Sequence, residues 1–323
     1  MVTLETIRAA HDYLSSRIHR TPLVSAQLIG QMTEPRVRLL LKAENLQKTG
    51  SFKPRGILYR LAQLTDDERA RGVITVSTGN TAQSLAWAAG QQGIPCAVVV
   101  PTTTPRTKRE AATSYGAEVI VIGESMYQCW EAADALIVTR GLTLIHPCDD
   151  PFLITGHGTL GLEILEDCPE VDTVLVPVGG GALATGVAAA IKLVRPEVMV
   201  FGVEPKLAPK LSRALAHGQP VDVGSTATIA DGLRTPMIGN LPFVLARQYL
   251  DAVIQVSEEA MIEAMRLLLL RGKYLVEPAG AAPLGALLEG SAPVSAQALV
   301  VAVLSGGNID QSTLFDLLGR QEA

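Results

Sequence analysis

The chain alternates between short apolar runs and longer segments whose apolar residues recur at helical spacing. The apolar runs predict buried strands, and the segments between them predict helices with one face toward a core. Alternation of strand and helix is typical of a parallel sheet with helices on its faces. The first series consists of predicted strands at 37–41, 73–77, 96–100, 118–122 and 142–146, with predicted helices at 4–18, 57–62, 82–90, 107–115 and one that ends near residue 138.

A second series of the same kind begins near Pro151. Its predicted strands lie at 173–178, 198–203, 253–256 and 299–304. No low-complexity linker and no repeat of fixed period separates the two series. A length of 323 residues is enough for about two domains. The pattern therefore predicts an α/β protein with parallel sheets.

Composition and charge argue against several classes of partner and site. With 48% hydrophobic and 18% charged residues, the chain has the composition of a soluble α/β enzyme. A net charge of −5 without a basic block predicts no nucleic-acid and no membrane partner. No apolar signal core follows Met1, and no apolar run reaches the roughly 18 residues of a spanning helix. Four scattered cysteines without CxxC spacing are expected to be reduced thiols, which points to the cytoplasm.

One lysine stands at the entrance of a predicted helix. The segment 47–56, Gln-Lys-Thr-Gly-Ser-Phe-Lys-Pro-Arg-Gly, joins the strand 37–41 to the helix 57–62, and Thr49 to Ser51 suit a loop and a helix N-cap. The helix dipole disfavours the ammonium form of Lys53, which favours a role as a neutral amine. Taken alone, such a lysine is more often a solvated surface residue.

A glycine-rich turn follows the predicted strand 173–178. Gly179-Gly180-Gly181-Ala182-Leu183 leads into a helix that continues through Ile191. Glycines allow backbone N–H groups to turn inward, and a helix N-terminus adds positive potential. The turn is therefore a candidate phosphate-binding loop, although a bare glycine triplet also forms ordinary strand–helix turns.

The same turn supports a second interpretation, a nicotinamide-dependent dehydrogenase. Gly179-x-Gly181-x-x-Ala184 satisfies a dinucleotide fingerprint, and Glu204 ends the next strand, as a ribose-binding acid should. Against this interpretation, Pro177 is expected to interrupt the strand before the glycines. The dehydrogenase would also leave the lysine segment unexplained.

A third loop, Ser77-Thr-Gly-Asn-Thr-Ala-Gln83, closes the strand 73–77 and opens the helix 82–90. Backbone N–H groups and hydroxyls at a helix start can bind a carboxylate. An ordinary Ser/Thr helix cap would have the same sequence, so the loop gains meaning only from its context.

Taken together, these segments resemble the fold type II (tryptophan synthase β-like) pyridoxal-phosphate enzymes. Residues 47–56 resemble their Schiff-base segment, and in particular that of the serine/threonine dehydratase and serine racemase family. Further matches follow in order over nearly the entire chain. They are Asp149-Asp150-Pro, Ile154-Thr-Gly-His-Gly-Thr-Leu-Gly-Leu-Glu163, Thr228-Ile-Ala-Asp-Gly232, Glu277-Pro-Ala-Gly280 and Leu304-Ser-Gly-Gly-Asn308.

The resemblance implies two open, mostly parallel, three-layer α/β domains with the cofactor, pyridoxal 5'-phosphate, in the cleft between them. It implies a large domain from 1–46 plus 147–323, a small domain from 47–146, and no C-terminal regulatory domain. It also implies roles for individual residues. Lys53 would hold the cofactor, with Phe52, Asn80, Gly179, Gly180, Gly181, Ala182, Leu183, Gly232, Glu277 and Ser305 around it, while Ser51, Ser77, Thr78, Gly79 and Thr81 would line the substrate side.

Several positions depart from the family pattern. Thr78 stands where dehydratases carry Ala and serine racemases carry a catalytic Ser, and Thr81 replaces a usual His. Ala182 replaces a fourth glycine, and His157, to which we assign no role, replaces Gln. The metal positions of serine racemases correspond to Glu204, Ala208 and Lys210. A lysine is no ligand for a hard cation, so we expect no divalent metal and hypothesise that Lys210 pairs with Glu204 instead.

The expected activity is that of an ammonia-lyase (dehydratase) acting on L-threonine or L-serine, with Lys53 and Thr78 as the candidate catalytic residues. An amino-acid racemase that uses Thr78 as its second acid/base is an alternative. A dehydratase of a bulkier substrate, such as hydroxyaspartate or a phenylserine, also stays open, as does a non-catalytic amino-acid-binding relative, against which the intact Lys53 argues. The family implies a homodimer or homotetramer.

Overall fold

The computed structural model describes residues 2–224 and 226–319, which form two β-sheets with helices on their faces. The larger sheet has six strands in the order β1-β2-β10-β7-β8-β9, and the smaller has four in the order β5-β4-β3-β6. Only the β1–β2 pair is antiparallel among the described strands. The strands are β1 (Leu23–Ser25), β2 (Arg38–Lys42), β3 (Val73–Val76), β4 (Cys96–Val100), β5 (Glu118–Val121), β6 (Thr143–Leu144), β7 (Thr173–Pro177), β8 (Met199–Pro205), β9 (Ala252–Val256) and β10 (Leu299–Val303).

Helices precede, connect and follow these strands. The α8 and α9 helices pack against each other, and α1 and α3 pack on α8. Among the described residues, no helix is both long and apolar enough to cross a membrane. The helices are α1 (Leu4–Leu14), α2 (Gln27–Gly30), α3 (Lys53–Leu61), α4 (Asp66–Arg71), α5 (Asn80–Gly90), α6 (Arg106–Ser114), α7 (Met126–Arg140), α8 (Pro151–Asp167), α9 (Ala182–Val194), α10 (Lys210–His217), α11 (Asn240–Tyr249), α12 (Glu258–Leu267), α13 (Pro278–Leu288) and α14 (Gln311–Leu318).

Both sheets are covered on both faces, as the alternation of side chains along their strands shows. In β7, Leu175 packs into the apolar cluster that contains α12 and α13, whereas Val174 and Val176 pack into the cluster that contains α9. In β3, Val73 packs on the side of α3 and α5, and Ile74 packs on the side of α7. Each sheet is therefore the middle of three layers, and the predicted α/β class is confirmed.

The order of the strands brings distant parts of the chain together. β10 lies between β2 and β7, with Val300 opposite both Leu39 and Thr173. All strands of the smaller sheet come from residues 73–144, between β2 and β7 in the chain. The exact domain boundaries, 1–46 plus 147–323 and 47–146, stay a prediction.

Most predicted elements are present, with shifted ends. The first helix ends at Leu14 and not at 18, and β6 has two residues in place of five. Pro177 does not interrupt β7: it is the last residue of the strand and lies opposite Val203. A proline is tolerated at the end of the strand, because its missing N–H group does not interrupt the hydrogen bonds of the strand interior. The short strand β1 was not predicted, because three residues are too few to show a period.

Candidate active site

Lys53 is the first residue of α3, as the sequence predicts, but the turn before it is built differently from the expected cap. No side chain caps the helix, whose N-cap residue is Phe52. The chain instead reverses through two left-handed residues, Thr49 (φ 60°) and Gly50 (φ 71°). This conformation is uncommon for a β-branched residue. Thr49 Oγ1 lies 2.7 Å from Ser84 Oγ, which ties the turn to α5.

The Lys53 side chain is half-buried, and its amine points inward to the residues that follow β6. Its Nζ donates to the carbonyl of Pro147 at 3.0 Å and lies 5.1 Å from the centroid of the Phe52 ring. Burial lowers the pKa of Lys53 to about 8, partly opposed by Cys148 and Glu277. A larger fraction of free amine is therefore available near neutral pH than for a solvated lysine.

A buried ionic network fixes the first turn of α3. The Arg55 side chain is fully buried and pairs with Glu44 and Glu163, each at 2.7 Å. Lys42 Nζ binds the same Glu163 at 2.7 Å and the carbonyl of Thr21 at 2.8 Å. Burial alone would lower the pKa of Arg55, but the two carboxylates outweigh it and raise that pKa. Because the charges satisfy one another, α3 and Lys53 are held in one position.

The glycine turn has no room for side chains. A Cβ on Gly180 would overlap the Cys148 side chain, and one on Gly181, whose φ is +96°, would overlap Ile238. Among the described residues, no acceptor binds the N–H groups of 179–183, which end at the first turn of α9. Unpaired N–H groups at a helix N-terminus form an anion-binding site. The structure thus has the geometry of the predicted phosphate loop.

Residues 147 and 148 bring the amine and the glycine turn together. Pro147 accepts the hydrogen bond from Lys53, and the next side chain, Cys148, packs on Gly180. Burial raises the pKa of the Cys148 thiol to about 11, so the thiol stays protonated. Sequence reasoning missed Cys148, because no motif distinguishes it from the other cysteines.

Asn80 lies in a chain of side-chain hydrogen bonds. Its Nδ2 donates to Glu277 Oε1 at 2.8 Å, and its Oδ1 accepts from Asn308 Nδ2 at 2.8 Å. Asn308 also donates to the carbonyl of Thr49 at 2.7 Å. Burial raises the pKa of Glu277 to about 7, with Asn80 acting in the opposite direction. Asn308 was not predicted as a site residue, although its place after two glycines at the end of the last buried strand was a signal.

The end of β10 meets the lysine segment. The carbonyl of Ser305, which is buried, accepts from the Phe52 N–H at 3.0 Å, and Ser51 forms an isolated bridge with Gly306. The hydroxyl of Ser51 is buried and has no hydrogen-bond partner in the described part of the chain. On the other side, a Cβ on Gly179 would meet the carbonyl of Gly232. Residues far apart in sequence thus border one site.

The loop at the start of α5 leaves open space. Ser77, Thr78 and Gly79 are half-buried, Thr81 is buried, and a Cβ on Gly79 would meet no atom within 4 Å. The N–H groups of Asn80 and Thr81 have no acceptor among residues 2–224 and 226–319. The loop therefore has the donors and the space that a substrate carboxylate requires.

His157, which lies in α8, packs against Phe52 of the lysine segment. It is fully buried, its ring lies edge-to-face with Phe52 at 4.8 Å between centroids, and neither ring nitrogen has a partner among the described residues. Burial, together with the nearby Lys53 and Arg55, holds the pKa of His157 well below its usual range. A neutral imidazole here supports the Phe52 ring by packing.

The residues that correspond to the metal positions of serine racemases bind groups of their own chain. Glu204 accepts from the N–H groups of Leu211 and Ser212 at 2.8 and 2.9 Å and thus caps α10. Lys210 Nζ donates to the carbonyl of Ala208 at 3.1 Å, and no ion pair within 4 Å joins it to Glu204, contrary to our hypothesis. Within the described chain, no three His, Cys, Asp or Glu side chains form a metal cluster.

The site as built fits pyridoxal phosphate. An inward-pointing amine of lowered pKa suits its aldehyde, and the unpaired N–H groups of 179–183 suit its phosphate. The glycine turn excludes side chains where the phosphate would approach. These features are independent of one another and border the same pair of residues, Pro147 and Cys148.

Comparisons with known proteins agree with this geometry. A family described as pyridoxal-phosphate dependent enzymes matches residues 14–306. A protein of Thermotoga maritima named L-threonine ammonia-lyase is 40% identical over 320 residues, which cover 99% of this chain and 79% of that protein. The structure of maize serine racemase has a TM-score of 0.92 at 36% identity, covering 98% of this chain and 96% of that one. The crystal structure of a T.th. threonine deaminase has a TM-score of 0.89 at 42% identity, covering 95% of this chain and 99% of that one.

Proposed function

Since this chain belongs to the family of pyridoxal-phosphate-dependent enzymes, we propose that it is an ammonia-lyase that converts L-threonine or L-serine to a 2-oxo acid and ammonia. The observation that carries the proposal is that the Lys53 amine binds Pro147 while the next residue, Cys148, packs on the glycine turn with its unpaired N–H groups. Relatives named as threonine ammonia-lyase and threonine deaminase support the reaction and the substrate.

Each part of the cofactor has a matching group in this chain. Lys53 Nζ would hold its aldehyde carbon, and the N–H groups of Gly179 to Leu183 would bind its phosphate. Asn80 and Ser305 would orient its ring, with Phe52, Gly232 and Glu277 around it. Ser305 is a neutral hydroxyl and would not keep the ring nitrogen protonated, which suits elimination better than transamination.

The chemistry divides between the cofactor and the protein. When bound, pyridoxal phosphate supplies an electron sink that stabilises negative charge at the substrate Cα. Once the substrate amine has replaced it, Lys53 Nζ would be a free amine that takes the proton from Cα, and its lowered pKa keeps it unprotonated more often. The β-hydroxyl of the substrate would then leave with a proton as water. The N–H groups of Asn80 and Thr81, with the hydroxyls of Ser51, Ser77 and Thr78, would bind the substrate carboxylate next to the open space at Gly79.

The proposal is tested by the visible spectrum of the purified protein before and after borohydride, in wild type, Lys53→Ala and Lys48→Ala. Lys48 lies in the same segment and is the matched control. We expect an absorption band that borohydride removes in wild type and Lys48→Ala, and no such band in Lys53→Ala. Formation of 2-oxo acid from L-threonine and L-serine then identifies the substrate. A wild-type protein with the band but without 2-oxo acid production would refute the ammonia-lyase and keep the cofactor.

A racemase is the second candidate, because Thr78 offers a hydroxyl at the substrate loop and maize serine racemase has a closely similar fold. Thr78→Ala should spare elimination and abolish racemisation of L-serine, as followed by chiral chromatography. Loss of both activities in a folded Thr78→Ala protein would contradict this division of roles. Dehydratases of hydroxyaspartate or phenylserine are tested in the same substrate panel.

The structure argues against the dehydrogenase interpretation, because its expected ribose-binding acid is already engaged. Glu204, which would bind a ribose, has both carboxylate oxygens engaged by the N–H groups of Leu211 and Ser212. The family match also gives the glycine turn a different ligand. We therefore do not propose a nicotinamide cofactor.

We further propose that the enzyme is a homodimer or homotetramer that acts in the cytoplasm. Leu28, Leu270 and Phe315 are each more than half exposed, and the segments that carry them pack on the same apolar cluster beside the larger sheet. Exposed apolar side chains of this kind suit contact with a second copy of the chain. Four free cysteines, three of them buried, suit a reducing compartment.

A further inference from the structure

The turn between β8 and α10 buries a carboxylate and an amine close together. The Glu204, Ala208 and Lys210 side chains are all fully buried. Burying a charge is costly unless another charge or hydrogen bonds compensate it. This turn therefore has to balance its own charges.

The contacts show how each group is satisfied. Glu204 binds the first turn of α10 through the N–H groups of Leu211 and Ser212. The carbonyl of Ala208 points to the Lys210 amine and also accepts from the Lys210 N–H at 2.9 Å. The amine thus lies on the carbonyl of the turn. Burial lowers the pKa of Lys210 to about 8, and the nearby Glu204 carboxylate partly opposes that shift.

This arrangement does not fit a divalent cation. A carboxylate and a loop carbonyl are oxygen ligands of the kind that Mg²⁺ and Ca²⁺ prefer, but the third position carries an ammonium group. The Lys210 ammonium group donates a hydrogen bond to the Ala208 carbonyl and would repel a second cation. The positive charge that an ion would bring is already attached to the chain.

We propose that Lys210 is a tethered cation that replaces a divalent metal ion in the β8–α10 turn and makes the turn independent of metal. The turn lies next to the phosphate loop. Val203, near the end of β8, lies opposite Pro177, the last residue of β7, and the glycines follow β7 after Val178.

The test compares thermal unfolding of the holoenzyme in EDTA, in millimolar Mg²⁺ and in millimolar Ca²⁺. Wild type should unfold at the same temperature in all three. Lys210→Asp, which exchanges the ammonium for a carboxylate, should unfold about 5 °C or more lower in EDTA and regain most of the loss in Ca²⁺ or Mg²⁺. Lys206→Asp makes the same charge change on an exposed side chain of this turn. It removes the surface pair with Glu289, so any loss of stability should be small and should not respond to either cation.

Two further measurements keep the test decisive. Calorimetric titration with Ca²⁺ should give heat of binding for Lys210→Asp and none for wild type or for Glu204→Gln/Lys210→Asp. If Lys210→Asp folds poorly, its refolding yield with and without Ca²⁺ replaces the unfolding temperature. Saturable binding of either cation to wild type that Glu204→Gln abolishes would overturn the proposal. A Lys210→Asp protein that is as stable as wild type in EDTA, or indifferent to both cations, would overturn it as well.

Discussion

Glu277 is a residue of the proposed site whose charge changes near neutral pH. Its carboxyl is buried, accepts a hydrogen bond from Asn80, and has a pKa of about 7 where an ordinary glutamate titrates near 4.5. Lys53 and Lys108 lower that pKa, and Asp231 raises it, but burial dominates. The site therefore gains a negative charge as the pH rises through neutrality.

We predict that Glu277→Gln becomes progressively more stable than wild type as the pH rises from about 4.5 to about 7. In that window the unfolded carboxyl ionises while the folded one stays protonated, so folding loses stability as the pH rises. The difference should approach about 3 kcal/mol and then level off. Denaturant unfolding of both cofactor-free proteins at several pH values measures it.

The comparison isolates Glu277 from other groups. The pKa values of His146 and His157 are lowered in the folded protein, so these residues reduce its stability as the pH falls. This dependence on pH is opposite to that of Glu277, and it is the same in wild type and Glu277→Gln. The effect of Lys53 lies between about 8 and 10.5, outside the window. A stability difference that does not change with pH would show that Glu277 titrates as a solvated acid.

Gly79 separates substrate binding from folding. Because a Cβ there meets no atom within 4 Å, Gly79→Ala should fold and bind the cofactor like wild type. The methyl group would occupy the space proposed for the substrate carboxylate, so KM for L-threonine should rise about tenfold or more. Steady-state kinetics and the visible spectrum test both statements.

Gly180→Ala is the contrasting variant, since its Cβ would overlap the Cys148 side chain. It should lose the cofactor band, whereas Gly79→Ala should keep it. An unchanged KM in Gly79→Ala would show that the substrate does not approach that loop.

Single residues were predictable from sequence where a motif carried them. Lys53 at the start of α3 and the glycines before α9 lie where the motifs place them. Cys148 and Asn308 were missed, because their contacts depend on which loops meet across the two sheets. Local pattern carries no information on such long-range neighbours.

At the scale of elements, α3 is fixed by charge as much as by apolar packing. Arg55→Met would leave Glu44 and Glu163 buried without their shared partner, and of these two carboxylates Lys42 pairs only with Glu163. We expect a loss of about 3–5 kcal/mol in the free energy of unfolding, measured with denaturant.

Arg60→Met serves as the control on the same helix. Its partner Asp150 retains some contact with water, and its loss should cost about 1 kcal/mol. Equal losses in the two variants would mean that the buried network adds nothing specific to the position of α3.

Elements with long or repeated apolar patterns were predictable, and their ends were not. β3, β4 and β7 agree with the predicted strands to within one residue, because each is buried along its whole length. β1 escaped prediction since pairing with β2, and not its own pattern, makes it a strand. The cap expected at residues 49–51 was wrong, because the left-handed turn at Thr49 takes its place.

At the scale of the whole molecule, self-association should involve the exposed apolar side chain of Leu270. Light scattering should give two or four times the chain mass for wild type, and Leu270→Glu should reduce it. Val138→Glu, on α7 of the smaller sheet, changes a still more exposed side chain and should leave the mass unchanged. A wild type that scatters as a single chain would refute the homo-oligomer.

The α/β class was predictable from alternation, but the pairing of β10 with both β2 and β7 was not. Composition and periodicity identify strands without stating their neighbours, and Val300 meets Leu39 across most of the chain's length. Only the family resemblance pointed to a larger sheet formed from both ends of the sequence.

The position of β10 also sets the order in which the protein can form during synthesis. The smaller sheet is complete once residue 144 has left the ribosome, and it can fold at once. The larger sheet lacks its link between β2 and β7 until residues 299–303 emerge. Phe52 then contacts Ser305, so the pocket around Lys53 closes only after residues 299–305 have been made.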